Sequence, residues 1–182
     1  MPTNKTDRQQ LIISGVGGQG VLFVTRLLAE AALAAGLPVF TSETHGMAQR
    51  GGTVISHLKV GDFVSPLVRP GAAEGLIALK AEGIAAHGGF LREGGWCVVN
   101  ATGPAPPVPG PTVTVDADAI AAELGNPRAV NVIMLGATLA AERLFCSLEA
   151  VEAAVRSRLG DRPKLLEPAL AALKAGASAA GK

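Results

Sequence analysis

The stretch from Ser42 to Gly52 reads Ser-Glu-Thr-His-Gly-Met-Ala-Gln-Arg-Gly-Gly. It gathers a carboxylate (Glu43), an imidazole (His45), an amide (Gln49) and a guanidinium (Arg50), and Gly46, Gly51 and Gly52 leave the backbone free to adapt. Glu43 and His45 can move a proton or orient a hydrogen-bonding partner. Arg50 can hold a carboxylate or phosphate through two parallel N–H bonds. It is the only arginine between Arg26 and Arg69, so no neighbour in sequence duplicates it. The stretch reads as a polar loop, and loops on a rigid scaffold are where binding and catalytic groups concentrate. Glu43, His45 and Arg50 are the catalytic candidates. The same groups serve equally well to stabilise a loop or to contact another subunit.

A second stretch has the spacing for an anion or nucleotide. Gly15, Gly17 and Gly20 satisfy G-x-G-x-x-G, with Gly18 and Gln19 inside the motif. The apolar run Leu11-Ile12-Ile13 precedes it and an Ala-rich apolar segment, 21–35, follows, which is the order strand, glycine turn, helix. In such a turn one glycine allows positive φ, one lets the backbone approach a ligand and one lets helix and strand pack closely. Free N–H groups at the helix start favour an anion. Gly15, Gly17, Gly18, Gln19 and Gly20, with Gln49 and Arg50, are therefore the candidate cofactor-binding residues. The competing reading is a tight strand-to-helix turn that binds nothing.

Several elements must position these groups. Residues 10–14 form a first strand and 20–35 a helix stopped by Gly36 and Pro38. A short strand at 38–41 leads into the polar loop. Residues 53–60 alternate as a half-buried strand, and Phe63-Val64 can pair back as a hairpin. Further strands are expected at 76–79, 96–100 and 112–115, and helices at 81–91, from 116 or 118 to 124, at 129–145, from Ser147, and at 163–175. Five prolines between Gly103 and Pro111 make a stiff extended loop. Alternating strands and helices define an α/β fold, a Rossmann-like, mostly parallel sheet flanked by helices. One domain spans 10–176, between tails at 1–9 and 177–182. In such a fold the glycine turn and the polar loop both fall at the carboxyl edge of the sheet, where ligands bind.

Composition narrows the function. The chain has 182 residues, a formal net charge of +1 and no basic run, so no nucleic-acid surface is expected. Aromatic residues are 3% of the chain, with no Tyr, which leaves no stacking platform for bases. The two cysteines, Cys97 and Cys146, are too few for an iron–sulfur cluster, which needs four thiolates. They read as buried thiols in a cytoplasmic protein. No metal-ligand spacing links His45 and His57, and Ser14 and Ser42 have no base nearby in sequence. No run of 18 apolar residues predicts a membrane span, and the polar start is no signal peptide. His57 reads as structural, His87 as solvated and Trp96 as core or interface.

Three segments carry a family resemblance: Gly17-Gly18-Gln19-Gly20-Val21, then Glu43 to Gly52, then Ser65-Pro66-Leu67. Together with Asn131-Val-Ile-Met-Leu-Gly136 and Lys164-Leu-Leu-Glu-Pro168, they make the chain resemble the gamma domain of 2-oxoacid:ferredoxin oxidoreductases. The likeness is strongest to the small (beta) subunit of the indolepyruvate type. The chain departs from the usual Leu-Glu-Pro-x-Glu-Ala at Leu79-Lys80-Ala81-Glu82-Gly83-Ile84, and it has Ala169 or a neighbouring apolar residue where relatives often place Asn in the final helix.

Enzymes of that family oxidatively decarboxylate a 2-oxoacid on thiamine diphosphate. They pass the electrons through iron–sulfur clusters to ferredoxin and usually form an acyl-CoA. The resemblance implies a chain inactive alone and binding no cofactor by itself. Thiamine diphosphate, the clusters and CoA would be handled in a complex with a large thiamine- and cluster-bearing subunit. Two other functions stay open on the residues. One is a stand-alone dinucleotide-binding oxidoreductase with Glu43 on the ribose; the other is an assembly subunit with no small-molecule site.

Overall fold

The computed structural model of the chain describes residues 8–45 and 52–180. The first strand, β1 (Gln9–Val16), is the centre of the architecture: Leu11, Ile12 and Ile13 are wholly buried, which requires cover on both faces of the sheet. The strands β2 (Val39–His45), β3 (Thr53–Val60), β4 (Ala73–Ala78), β5 (Leu91–Asn100) and β6 (Thr112–Val115) complete one six-stranded sheet in the order β2-β3-β1-β4-β5-β6. The pairs β1–β4, β4–β5 and β5–β6 are parallel. β3 is antiparallel to both β1 and β2, so five of the six strands share one direction. The fold is the expected α/β sheet flanked by helices, with one reversed strand inserted beside β1.

One face carries the larger core. Leu11, Ile13, Leu58, Ile77, Trp96 and Val98 project into it from the strands. Helices α1 (Val21–Ala34), α4 (Val130–Ala140), α5 (Leu148–Leu159) and α6 (Pro163–Ala180) contribute its other side. α4 is buried from Val130 to Leu139, so it reads as apolar on every side and needs neighbours all round. Its approach to α6 is set by two glycines. A Cβ on Gly136 would strike the Leu173 carbonyl, and one on Gly176 would strike the Ile133 carbonyl. Gly75 likewise leaves the space that the Trp96 indole occupies.

The opposite face holds Ile12, Ile55, Leu76, Cys97 and Val99 under the short helix α2 (Glu82–His87), Phe90 and the 61–72 connection. This cover changes the expectation for β3: the alternation is present, but both faces are buried, including His57 at 5% exposure. The 61–72 connection makes no hairpin strand at Phe63-Val64; it turns across the sheet face, and the Val68 N–H donates to His57 Nδ1 at 3.2 Å.

Several boundaries move for reasons that act at long range. β2 runs on to His45 because β3 pairs with it through Glu43, Thr44 and His45. β5 begins at Leu91, before the expected Trp96, since Gly94 at φ 72 and a register shift let the strand pass Gly94-Gly95. The helix expected over 129–145 stops at Ala140. Glu142 adopts φ 54, and the Gln9 side chain donates to Arg143 O and accepts from the Phe145 N–H. The helix expected to end at Ala175 continues as α6 to Ala180, so residues 177–180 are helix and not tail. α3 (Ala117–Glu123) and α5 begin at Asp116 and Ser147, whose side chains accept from Ala119 N and Ala150 N.

Candidate functional site: the glycine turn at the carboxyl edge

β1 delivers its glycines to the carboxyl edge of the parallel strands. Gly15 must be small because a Cβ there would meet Val21 Cγ2 at 2.7 Å and Gln19 Oε1 at 3.0 Å. Gly18 and Gly20 have φ of 88° and 79°, the left-handed conformation that side chains resist. Gly17 has neither constraint: its φ is not left-handed and nothing lies within 4 Å of an added Cβ. It is the open point of the turn.

Protein groups fill much of the rest. Gln19 Oε1 accepts from Val16 N at 2.9 Å, and Gln19 Nε2 reaches Leu79 O at 3.5 Å across the gap between β1 and β4. The Gly17 N–H donates to Gly52 O at 3.1 Å, tying the turn to the end of the polar stretch. Asn131, at the start of α4, donates to Gly20 O at 3.2 Å and packs where a Gly20 side chain would sit. Asn100, at the end of β5, donates to Leu79 O and to Asp118 Oδ2 and accepts from Ala117 N. A row of amides, Gln19, Asn131 and Asn100, therefore closes the carboxyl edge from α1 to α3. Asn100 and Asn131 were not candidates from the residue types. Their partners lie up to 111 residues away, and no local spacing announces them.

The described residues form two hollows at this edge. One, of about 420 Å³, is lined by Val16, Gly17, Gly18, Gly20, Val21, Leu22 and Val54. The other, of about 240 Å³, lies between Gly15, Val16, Thr53, Lys80, Glu82 and Gly83. Backbone at Gly17 and Gly18 faces the first, and Lys80 supplies a cation at the second. Lys80 and Glu82 lie within the segment that departs from the family pattern.

The other candidates divide. Glu43 is exposed and lies on β2, opposite Ser56 of β3. β3 separates it from β1, so the backbones of Glu43 and the glycine turn stand about two strand spacings apart, roughly 10 Å. A dinucleotide site needs the acidic strand next to β1. This placement removes the geometry on which the stand-alone dinucleotide reading rested. His45 ends β2 at the same edge, opposite Val54. Gln49 and Arg50, with Gly46 and Gly51, lie outside the described residues.

The histidines differ from expectation. His87 is half-buried, and not simply solvated: its Nδ1 lies 2.7 Å from Ser14 Oγ, and Ser14 is wholly buried. Ser14 thus has a base in space, 73 residues away, but Gly83 packs directly over the hydroxyl and closes it to any substrate. Burial lowers the His87 pKa. The His57 pKa is lowered first by burial, then by the charges of His87 and Lys59. Burial pushes the Cys97 thiol up to about 12, so it is inert as a nucleophile near neutral pH. Among the described residues no three His, Cys, Asp or Glu side chains are grouped to hold a metal, and no helix is long and apolar enough to cross a membrane.

With this geometry in place, the comparisons define the class. Residues 10–179 match the pyruvate ferredoxin/flavodoxin oxidoreductase family, and the chain belongs to that family. Within it, the chain is a small subunit of the 2-oxoacid ferredoxin oxidoreductases. It is 33% identical to the indolepyruvate oxidoreductase subunit IorB of Archaeoglobus fulgidus, over 93% of this chain and 94% of that one. The ketoisovalerate oxidoreductase subunit VorA of Methanothermobacter marburgensis is 34% identical over 93% of this chain, which spans only 36% of that longer protein. The crystal structure of a keto/oxoacid ferredoxin oxidoreductase gamma subunit from Geobacter sulfurreducens superimposes with a TM-score of 0.79 at 28% identity, covering 94% of this chain and 98% of that one.

Proposed function

We propose that this chain is the non-cluster subunit of an indolepyruvate-type (aryl-pyruvate) 2-oxoacid:ferredoxin oxidoreductase. In the assembled enzyme a large subunit carries thiamine diphosphate and the iron–sulfur clusters. The complex decarboxylates the 2-oxoacid, transfers the acyl group to CoA and passes two electrons to ferredoxin. The observation that carries this reading is the near end-to-end match to IorB, a relative of about the same length. The site agrees with it. Its glycine turn offers backbone and an open Gly17, and its side-chain amides are engaged with the protein itself. That is an edge suited to complete a neighbour's active site.

The chain's own contribution is binding and shape. Gly17 and Gly18 allow a close backbone approach, and Lys80 offers a cation to a diphosphate or carboxylate. Glu43 and His45 extend the same edge on β2; Gln49 and Arg50 follow them in sequence, and Arg50 is by its chemistry the group best suited to hold an anion in two-point fashion. Glu43 and His45 remain candidates for proton transfer.

Co-expression with a large thiamine- and cluster-bearing subunit tests this directly. The complex should reduce ferredoxin with indolepyruvate and CoA faster than with pyruvate or 2-ketoisovalerate, and the purified single chain should reduce nothing. Turnover by the single chain, or a clear preference for pyruvate, would overturn the reading.

A further inference from the structure

Beside the glycine turn, on the helical face, a cleft of about 520 Å³ opens between Phe23 of α1, the turn around Leu124 to Ala129 and the first half of α6. Phe23, Leu124, Leu165 and Pro168 give it an apolar wall. Leu124 is 41% and Leu165 52% exposed, so the fold leaves two large apolar side chains facing water in one concavity. Among the described residues, the charged groups that line it are Arg128 and Lys164. Both are exposed, and neither forms an ion pair among the described residues. The cleft is therefore apolar within and positive at its margin.

The polar groups argue against a small-molecule site, which needs several convergent polar contacts inside the pocket. Asn131 has both ends engaged, its Nδ2 on Gly20 O and its Oδ1 on Val132 N, and Asn126 is only partly buried. An apolar centre with a charged margin is the anatomy of a protein–protein contact. Asn131 also belongs to the amide row behind the glycine turn, so whatever fills the cleft abuts the carboxyl edge.

We propose that this cleft receives an amphipathic segment of the large catalytic subunit. Apolar side chains of that segment fill the groove beside Phe23, Leu124 and Leu165, and its carboxylates meet Arg128 and Lys164. The proposal rests on the functional reading above, which supplies the partner. It gives the groove a purpose, which is to seat the partner where the glycine turn must face the partner's active site.

The test uses the full chain and its co-expressed complex. Cys97 and Cys146 are buried, so Leu165→Cys introduces the thiol that a maleimide reaches first, and half-exposed Leu165 tolerates the change. Alkylation should slow roughly tenfold or more on assembly, because an interface core excludes solvent. Arg128→Glu with Lys164→Glu should weaken association by roughly tenfold, with a loss of its salt dependence. Alkylation at the free-chain rate within the complex, or an unchanged dissociation constant for the charge-reversed pair, would overturn the proposal and leave the functional reading intact. Protection of the thiol on the free chain by desulfo-coenzyme A, which has no thiol of its own to consume the maleimide, would overturn the protein occupant. Failure of the wild-type chain to associate with the large subunit at all would instead remove the functional reading, and the docking proposal with it.

Discussion

Substituting alanine at Gly17 and at Gly20 separates a glycine kept for function from one kept for folding. At Gly17 an added methyl meets nothing within 4 Å and the backbone is not left-handed. The substitution reduces the freedom of the unfolded chain, which stabilises a protein by about 0.4–1 kcal/mol. For a domain of this size that is a rise of roughly 1–3 °C in Tm. At Gly20 the same methyl is forced into φ 79 and strikes the Asn131 amide. Left-handed strain costs about 1–2 kcal/mol. Displacing Asn131 breaks its bond to Gly20 O and exposes buried polar groups to an unpaired state, about 1–3 kcal/mol more. Gly20→Ala should therefore lower Tm by roughly 5–15 °C. Scanning calorimetry of the single chain measures both. If a partner or cofactor approaches the turn, Gly17→Ala should also lose turnover or affinity in the complex by roughly tenfold while its Tm holds or rises. A fall in Tm at Gly17 would refute this account of the turn, and unchanged kinetics and assembly would remove Gly17 as a point of approach. Gly18 is the poorer probe, since φ 88 strains any side chain there whatever stands nearby.

Two further outcomes follow from the same structure, and a third, at Arg50, from the sequence. His57 and His87 have lowered pKa values, so the unfolded chain binds more protons below about pH 6.5. Stability should be fully present above that pH and fall as the pH drops through the folded-state values, and urea midpoints at pH 7.5 and 5.0 measure the loss. Gly176→Ala replaces the poorer helix former, which alone would stabilise α6 by about 1 kcal/mol. Collision with the Ile133 carbonyl should reverse the sign to a loss of about 1–3 kcal/mol, and a measured gain would show that α4 and α6 can separate freely. Arg50→Lys in the assembled enzyme should cost about 1–3 kcal/mol, seen as a raised KM for CoA, weaker thiamine retention or weaker assembly. No change in any of these with Arg50→Ala would take Arg50 out of the site.

Local rules carried the reading of β1, the glycine turn, α1 and the caps at Asp116 and Ser147, because each depends on residues a few positions apart. They failed where a distant group decides. Nothing between Ala129 and Phe145 shows that the Gln9 side chain, more than a hundred residues earlier, holds the turn that ends α4. The alternation of β3 marks a strand, but not its reversed direction beside β1 or its cover by the 61–72 connection. That reversal also decides the fate of Glu43: its distance from the glycines in sequence suits a ribose contact, whereas an inserted strand puts it out of reach. The amide row was illegible for the same reason, since Gln19, Asn100 and Asn131 meet only after the sheet has formed.

The reciprocal glycine contact of α4 and α6 also sets when this domain can close its core. Synthesis completes the sheet and delivers α4, buried through ten consecutive residues, before α6 has been made. Until Pro163–Ala180 is free to dock, the emerging polypeptide carries an uncovered oily rod and must be kept from its neighbours. A stop between α5 and α6 would thus release a chain with its sheet in place and its interior open, a substrate for proteases and not for assembly. Helix α6 works as a seal, and its docking closes the interior that α4 would otherwise leave open.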